Sequence, residues 1–140
     1  MSKRPLELFL FDIYIAILKI KHTATRFDNA QRLLYDFNAW DSVIREFEII
    51  GEATNKLIKE RLLTNDFQVV VDFRNQLIHH YFGIDAEQVW NIIVDDLPEF
   101  ESQILYHIRR IPQALKADLI KDFTTHYHYL PFIREALESL

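Results

Sequence analysis

The sequence predicts an all-α protein, an up-and-down bundle of four to five main helices with a short helical extension at the C-terminus. Apolar residues recur at helical spacing along most of the 140 residues. Only two glycines and four prolines are present, too few for a chain built from many tight turns. No internal repeat, low-complexity run or second-domain boundary is visible, so residues 1–140 are expected to form one domain.

The first predicted helix spans residues 5–26, because proline suits a first helical turn. Asp28 or Asn29 can cap a short second helix that ends near Tyr35. The apolar positions of the first helix define a single predicted face: Leu6, Phe9, Leu10, Ile13, Ile17 and Ile20.

A long third helix is predicted over residues 38–63, with Trp40, Ile44, Phe47, Ile50, Thr54, Leu57 and Ile58 near one side. Gly51 lies inside it, where glycine costs about 1 kcal/mol relative to alanine. Close approach of another helix is therefore expected at Gly51. Glu52 and Lys56 stand four residues apart in the favourable order and are expected to pair.

Asn65 or Asp66 is expected to cap the fourth helix, which ends within residues 81–83. Asp85 caps the next helix, and Pro98 predicts a kink inside it. Two further helices are predicted over residues 113–123 and 130–140. The inward stripe of the helix that follows Asp85 is Val89, Ile93, Leu97, Phe100, Ile104, Ile108 and Ile111.

The charge of the chain limits its possible functions. The formal net charge is −5, and residues 85–101 hold six carboxylates and no lysine or arginine. Proteins that coat nucleic acid non-specifically are usually basic. Any RNA contact must therefore use a local cationic cleft, which argues against an RNA chaperone.

Composition also indicates the compartment. The chain has no cysteine, which excludes disulfides and thiolate metal sites and fits a cytoplasmic protein. No apolar stretch reaches the ~18 residues of a membrane span, and the N-terminus has no secretory pattern. We expect a cytoplasmic protein that does not bind membranes.

Residues 74–81 combine a permanent cation, an imidazole and a phenol. Arginine can hold phosphate oxygens and histidine can move a proton at pH 7, so Arg74 and His79 suit phosphodiester cleavage. Positions five apart lie ~140° apart around an α-helix, so these two side chains do not share a face, whereas Asn75 and His79 do. Arg74 can wrap around the helix, the helix can end before His79, or a two-fold axis can complete the site.

Arg74, His79 and Tyr81 form a spaced motif, with four residues between the first two and one residue between the last two. This motif resembles the signature of HEPN-domain proteins of the HepT type. Residues 44–53, which carry the run Ile-Ile-Gly-Glu-Ala, resemble a helix of that family, and Val89-Trp90 with Asp95-Asp96-Leu97-Pro98 resemble a third segment. Together they cover about residues 5–112. His80 stands where relatives usually carry a small residue, and residues 113–140 extend beyond the usual end of the domain.

The resemblance implies a toxin of a toxin–antitoxin system, a metal-independent endoribonuclease that cleaves RNA in the cleft of a homodimer. Arg74 and His79 would be catalytic, and Asn75 would orient His79 or donate to phosphate. His80 is either an extra cleft group or a solvent-facing side chain. Tyr81 matches a tyrosine adenylylated by a cognate minimal nucleotidyltransferase antitoxin. ATP and magnesium then belong to that partner, and this chain needs no cofactor or metal; further assembly with the antitoxin is left open.

Two rival functions stay open at this point. The chain could be a non-catalytic helical partner that binds or presents substrate to a nucleotidyltransferase, or a structural dimerisation bundle. The presence of Arg74, Asn75, His79 and Tyr81 together argues against the first, because a pure scaffold has no physical need for that combination. The second predicts that Arg74→Ala and His79→Ala have only small effects on stability.

Other polar clusters are weaker candidates. His126 and His128 point apart on a helix, which disfavours a metal site, and Glu46, Glu48 and Glu52 lack the Glu-x-x-His spacing of di-iron bundles. Asp95 and Asp96 are expected to face solvent. The aromatic and apolar residues of the tail are expected to pack on the bundle, with contact to a partner as the alternative: Tyr127, Tyr129, Phe132 and Ile133.

Overall fold

The computed structural model describes residues 5–140, except for the side chain of Tyr81. All regular structure in this range is helical, which confirms the predicted all-α class and the helical C-terminal extension. Two 3₁₀ turns, Asn65–Phe67 and Tyr81–Gly83, and one π-helical segment, Ile92–Asp96, join the α-helices. The α-helices are α1 (Glu7–Ala24), α2 (Ala30–Tyr35), α3 (Phe37–Lys59), α4 (Gln68–His79), α5 (Ala86–Asn91), α6 (Leu97–Arg109), α7 (Gln113–His126) and α8 (Pro131–Glu138).

Helix α1 is the centre of the bundle and is buried on nearly all sides. Helices α3, α6 and α8 all contact it. Phe11, outside the predicted apolar face, is fully buried and stacks on Phe123 of α7 with ring centroids 5.2 Å apart. The prediction of a single apolar face was therefore too narrow, because the C-terminal helices cover the other side.

The predicted helix starts near residue 30 and near residue 86 are confirmed. The Asn29 side chain accepts a hydrogen bond from the Arg32 amide at 2.9 Å, and Asp85 accepts one from the Glu87 amide at 3.0 Å. Asp36 caps α3 by accepting from the Ala39 amide at 3.0 Å. Each oxygen satisfies a backbone donor that the first helical turn leaves without a partner.

Helix α3 ends four residues before the predicted end at Leu63, because the chain reverses at Arg61. This arginine has φ 63°, in the left-handed region. Its amide donates to the Ile58 carbonyl at 3.0 Å, and the Leu62 amide donates to the Leu57 carbonyl at 2.9 Å. These two bonds form a Schellman motif, whose left-handed position is usually glycine.

Replacing Arg61 with glycine is expected to raise the free energy of unfolding by about 0.5–1 kcal/mol, because glycine has no Cβ to oppose a left-handed backbone. Urea unfolding would measure the change. Lys59→Gly, in the last turn of the same helix, is the control and should lower stability by up to about 1 kcal/mol. An Arg61→Gly protein as unstable as the control would contradict the left-handed assignment.

The start of α4 differs from prediction, and the helix that follows Asp85 changes its winding ahead of Pro98. Residues 65–67 form a 3₁₀ turn, and no side chain caps α4, so the predicted cap at Asn65 or Asp66 was wrong. The turn places Phe67 beside Phe100 of α6, with ring centroids 6.1 Å apart. Ahead of Pro98, the helix widens into the π-helical segment Ile92–Asp96. Proline has no backbone N–H to donate, and the wider turn accommodates that missing hydrogen bond.

The tail packs on the bundle as predicted. Phe132 stacks on His22 at 3.9 Å between centroids, Lys19 lies 4.9 Å from the centre of the Tyr127 ring, and Ile133 is fully buried. Tyr129 is the exception and stays exposed. None of the helices within residues 5–140 combines the length and the apolarity that crossing a bilayer requires.

Candidate active site

Helices α3 and α4 pack closely at Gly51 of α3 and Arg74 of α4. A Cβ atom built on Gly51 would overlap the Cβ and Cγ atoms of Arg74 and lie 3.3 Å from its Cδ atom. The predicted close approach at Gly51 is therefore confirmed. Only glycine leaves room there, so the stem of Arg74 lies in a notch in the surface of α3.

The polar end of Arg74 has two partners beyond that notch. Its Nη1 donates to the Asn75 Oδ1 at 3.1 Å, and its Nη2 lies 3.6 Å from the Glu52 Oε1. Its Nε is buried and has no hydrogen-bond partner among residues 5–140. Guanidinium has five N–H donors, so donors remain for an incoming phosphate.

His79 is the last residue of α4 and is exposed to solvent. The helix therefore does not end before His79, which removes one of the three arrangements considered from spacing. Asn75 and His79 stand four residues apart within α4 and share a face. Because the Arg74 guanidinium donates a hydrogen bond to Asn75, it is turned toward the helix face that carries His79. The structure thus favours wrapping of the long arginine side chain around the helix.

Glu52 lies at the candidate site, where sequence reasoning did not place it. The predicted pair with Lys56 was wrong, because Lys56 pairs with Glu60 at 3.2 Å while Glu52 faces Arg74. The Glu52 side chain is 62% exposed, so this ion pair adds little stability. The sequence signal for the Glu52–Arg74 contact was the position of Glu52 beside Gly51, since a residue next to a helix contact can reach the neighbouring helix.

The other two glutamates of α3 lie apart from the motif. Glu48 is 3.8 Å from Arg45 on the same helix. Burial raises the pKa of the Glu46 carboxyl above its ordinary value, and the nearby Lys19 and Arg45 oppose that shift. Among the residues described, no group of three or more histidine or acidic side chains could hold a metal ion. His128 instead points its Nδ1 at the Thr125 carbonyl, 3.0 Å away.

The chain after His79 makes a short turn at the end of α4. The His80 amide donates to the Gln76 carbonyl at 2.9 Å, and the Gly83 amide donates to the His80 carbonyl at 2.8 Å. The side chain of His80 is exposed, in agreement with the solvent-facing alternative. The side chain of Tyr81 lies outside the described residues, so its modification stays a prediction.

A concave surface away from Arg74 and His79, the acidic groove, lies between α3, α4 and α6. It has a volume of about 450 Å³, and Phe47, Phe73 and Phe100 contribute to its apolar floor. Its acidic rim consists of Asp66, Asp95, Asp96 and Glu99. Asp95 and Asp96 are exposed, as predicted. Because no lysine or arginine is among the described residues lining it, this groove does not suit a polyanion, whereas the Arg74 site does.

Comparisons with known proteins agree with the motif. Residues 13–106 match the family described as ribonuclease HepT-like. A Methanocaldococcus jannaschii protein named as a candidate RNase is 33% identical over 112 residues, covering 74% of this chain and 97% of the relative. A Thermococcus cleftensis protein named as a candidate ribonuclease HepT is 32% identical over 110 residues, covering 72% of this chain and 94% of the relative. No solved structure matches the chain. The chain therefore belongs to the ribonuclease HepT-like family, which confirms both the resemblance and the assignment as an endoribonuclease.

Proposed function

We propose that the chain is the toxin of a toxin–antitoxin system and cleaves RNA without a metal ion, using Arg74 and His79. One observation carries the proposal. The bond from Arg74 to Asn75 turns the cation toward the face of α4 that presents His79 to solvent. A phosphate held by the guanidinium would then have an imidazole close to its ribose.

His79 would act as a general base and remove the proton from a ribose 2′-OH. The 2′-oxygen attacks the adjacent phosphorus, and Arg74 stabilises the negative charge that develops on the phosphorane oxygens. The bond to the 5′-oxygen then breaks, and that oxygen takes a proton. The products are a 2′,3′-cyclic phosphate and a 5′-hydroxyl, so an RNA without the 2′-OH cannot react.

A homodimer would supply the second proton transfer. Each chain has one His79 in its motif, while the reaction needs both a base and an acid. Two copies of α4 facing each other across a two-fold axis would bring two imidazoles and two guanidinium groups into one cleft. The exposed position of His79 supports such a cleft, because its face of α4 is not covered within the described chain.

We further propose that a cognate nucleotidyltransferase silences the site by adenylylating Tyr81, with ATP and magnesium held by that partner. Tyr81 begins the turn that follows the catalytic helix, two residues after His79. An attached AMP would place a phosphate anion near Arg74 and a purine in the cleft. The anion would compete with the substrate for the guanidinium.

Incubation of the unmodified protein with labelled RNA in excess EDTA would test the nuclease. We expect cleavage to continue and to leave 2′,3′-cyclic phosphate ends, because both proposed catalytic groups are side chains. An oligonucleotide with a single 2′-deoxy position is the control and should resist cleavage at that position. Intact-mass measurement confirms that Tyr81 carries no AMP. An unmodified protein that leaves RNA intact would contradict the proposal and favour the substrate-presenting module.

A further inference from the structure

The acidic groove lies on a side of α4 that the proposed reaction does not use. Val70 and Phe73 line the groove from α4. Around an ideal α-helix, Val70 lies ~180° and Phe73 lies ~120° from His79. On the opposite wall, residues 92–103 line the groove over roughly 16 Å at the rise of a helix. The groove is therefore separate from the surface that presents His79, and it is long enough for about three turns of a second helix.

The apolar floor of the acidic groove is incompletely covered within the described chain. Phe67, Val70 and Phe73 are partly buried there, and the side chain of Val69 is 68% exposed. Phe100 of α6 lines the other side. Removing apolar surface from water is favourable. A partner that covers these side chains would therefore gain binding free energy from the floor.

The carboxylates at the rim of the acidic groove are not paired with cations. Among the ion pairs of residues 5–140, none includes Asp95, Asp96 or Glu99. Asp66 accepts a hydrogen bond from the Thr64 hydroxyl at 3.3 Å, which leaves its charge in place. The rim therefore presents four uncompensated negative charges around an apolar floor.

This combination of floor and rim restricts the chemistry of the occupant. A metal ion does not fit, because no three acidic or histidine side chains of the described residues could hold one. A second copy related by a two-fold axis through the groove would bring the same carboxylates together, and like charges repel. A helix with apolar side chains on one face and lysine or arginine beside them complements both the floor and the rim.

We propose that the acidic groove is a docking site for a basic amphipathic helix of a partner protein. Its apolar side chains, three and four residues apart, would lie on the floor, as in other complexes that seat a helix in a groove. Its lysine or arginine side chains would lie against Asp66 on one wall and against Asp95, Asp96 and Glu99 on the other. The inference does not depend on the ribonuclease function, because the groove and the His79 face of α4 are separate.

A model peptide tests the inference on the full-length protein. The probe is a fluorescent helical peptide of about 14 residues, long enough for an isolated helix, with leucine on one face and lysine on the other. One control peptide carries glutamate in place of lysine, and a second carries alanine in place of leucine. Fluorescence anisotropy at physiological ionic strength measures the Kd, and amide chemical shifts of the ¹⁵N-labelled protein locate the bound peptide.

Three protein variants separate the groove from general electrostatic attraction. The rim variant neutralises three carboxylates of the acidic groove: Asp95→Asn, Asp96→Asn and Glu99→Gln. The matched control makes the same change in net charge at three exposed carboxylates of α7 and α8, which do not line the groove: Asp118→Asn, Asp122→Asn and Glu135→Gln. Val69→Ser tests the floor at an exposed position, where substitution has little effect on folding. Urea unfolding confirms that each variant is folded.

We expect the leucine–lysine peptide to bind the wild type, and both control peptides to bind at least about 10-fold more weakly. The rim variant should raise the Kd of the leucine–lysine peptide by about 3- to 100-fold, because three exposed ion pairs are lost together. Val69→Ser should raise it by about 2- to 10-fold. The α7–α8 control should stay within about twofold of the wild type, because salt screens its distant charges. The amide shifts should change at the groove residues.

Other results would overturn the inference. No binding of the leucine–lysine peptide at about 1 mM protein would mean that the groove does not accept such a helix. Equal losses in the rim variant and the α7–α8 control would reduce the effect to net charge. Equal binding of the alanine–lysine peptide would remove the role of the floor. Sedimentation showing that Val69→Ser dissociates a wild-type dimer would reassign the groove to an interface between copies of this chain.

Discussion

Replacing His79 with alanine is expected to lower kcat for RNA cleavage by about 100- to 10,000-fold, the usual contribution of a general acid–base group. In a two-fold cleft the change removes both proposed proton-transfer groups at once, so the upper end of that range is expected. Stability should change by less than about 0.5 kcal/mol, because the side chain is exposed. Initial rates on a single-ribonucleotide substrate, with urea unfolding in parallel, measure both quantities.

His80→Ala is the matched control for this experiment. The two histidines are adjacent and both exposed, but only His79 shares the helical face of Asn75. His80→Ala should therefore retain most of the activity. If His80→Ala lost most of its activity while His79→Ala kept it, the proton transfer would belong to His80, which would contradict the proposed mechanism.

Replacing Gly51 with alanine is expected to lower the free energy of unfolding by about 1–3 kcal/mol, as overpacking does. The usual effect inside a helix has the opposite sign, because alanine is favoured over glycine by about 1 kcal/mol. Here the new methyl group would overlap the Cβ and Cγ atoms of Arg74, and the two helices would have to separate. Cleavage should fall as well, since the arginine would move from its place beside Asn75.

Gly83 provides the control for this second substitution. A Cβ on Gly83 would have no atom of the described residues within 4 Å, and its φ is not positive, so Gly83→Ala should be neutral or slightly stabilising. Introducing Arg74→Gly into the Gly51→Ala protein should recover part of the lost stability, because it removes the opposing Cβ. A Gly51→Ala protein more stable than the wild type would show that α3 and α4 are not in such close contact.

Local signals in the sequence predicted much of this fold. Apolar spacing identified the long helices, and oxygen-bearing side chains marked the starts of α2 and α5. Gly51 was informative because a helix tolerates an interior glycine where another helix needs the space. Residue chemistry and family resemblance together were enough to single out Arg74, Asn75 and His79 as candidate site residues.

The missed features depend on contacts that are distant in sequence. Glu52 had two cations within reach, and only the approach of α4 decides that it faces Arg74 and not Lys56. Arg61 adopts a left-handed backbone that propensity assigns to glycine. The burial of Phe11 depends on α7, more than a hundred residues further along. No local pattern contains that information.

Helix α1 packs against residues on both sides of the point where the family match ends. The family match stops at residue 106, yet Ile133 and Leu137 of α8 are completely buried and Phe123 covers Phe11. A chain cut after the matched segment would leave one side of its innermost helix in water. In this protein the hydrophobic core therefore continues past the family boundary, and we expect residues 113–140 to unfold together with the residues proposed for catalysis.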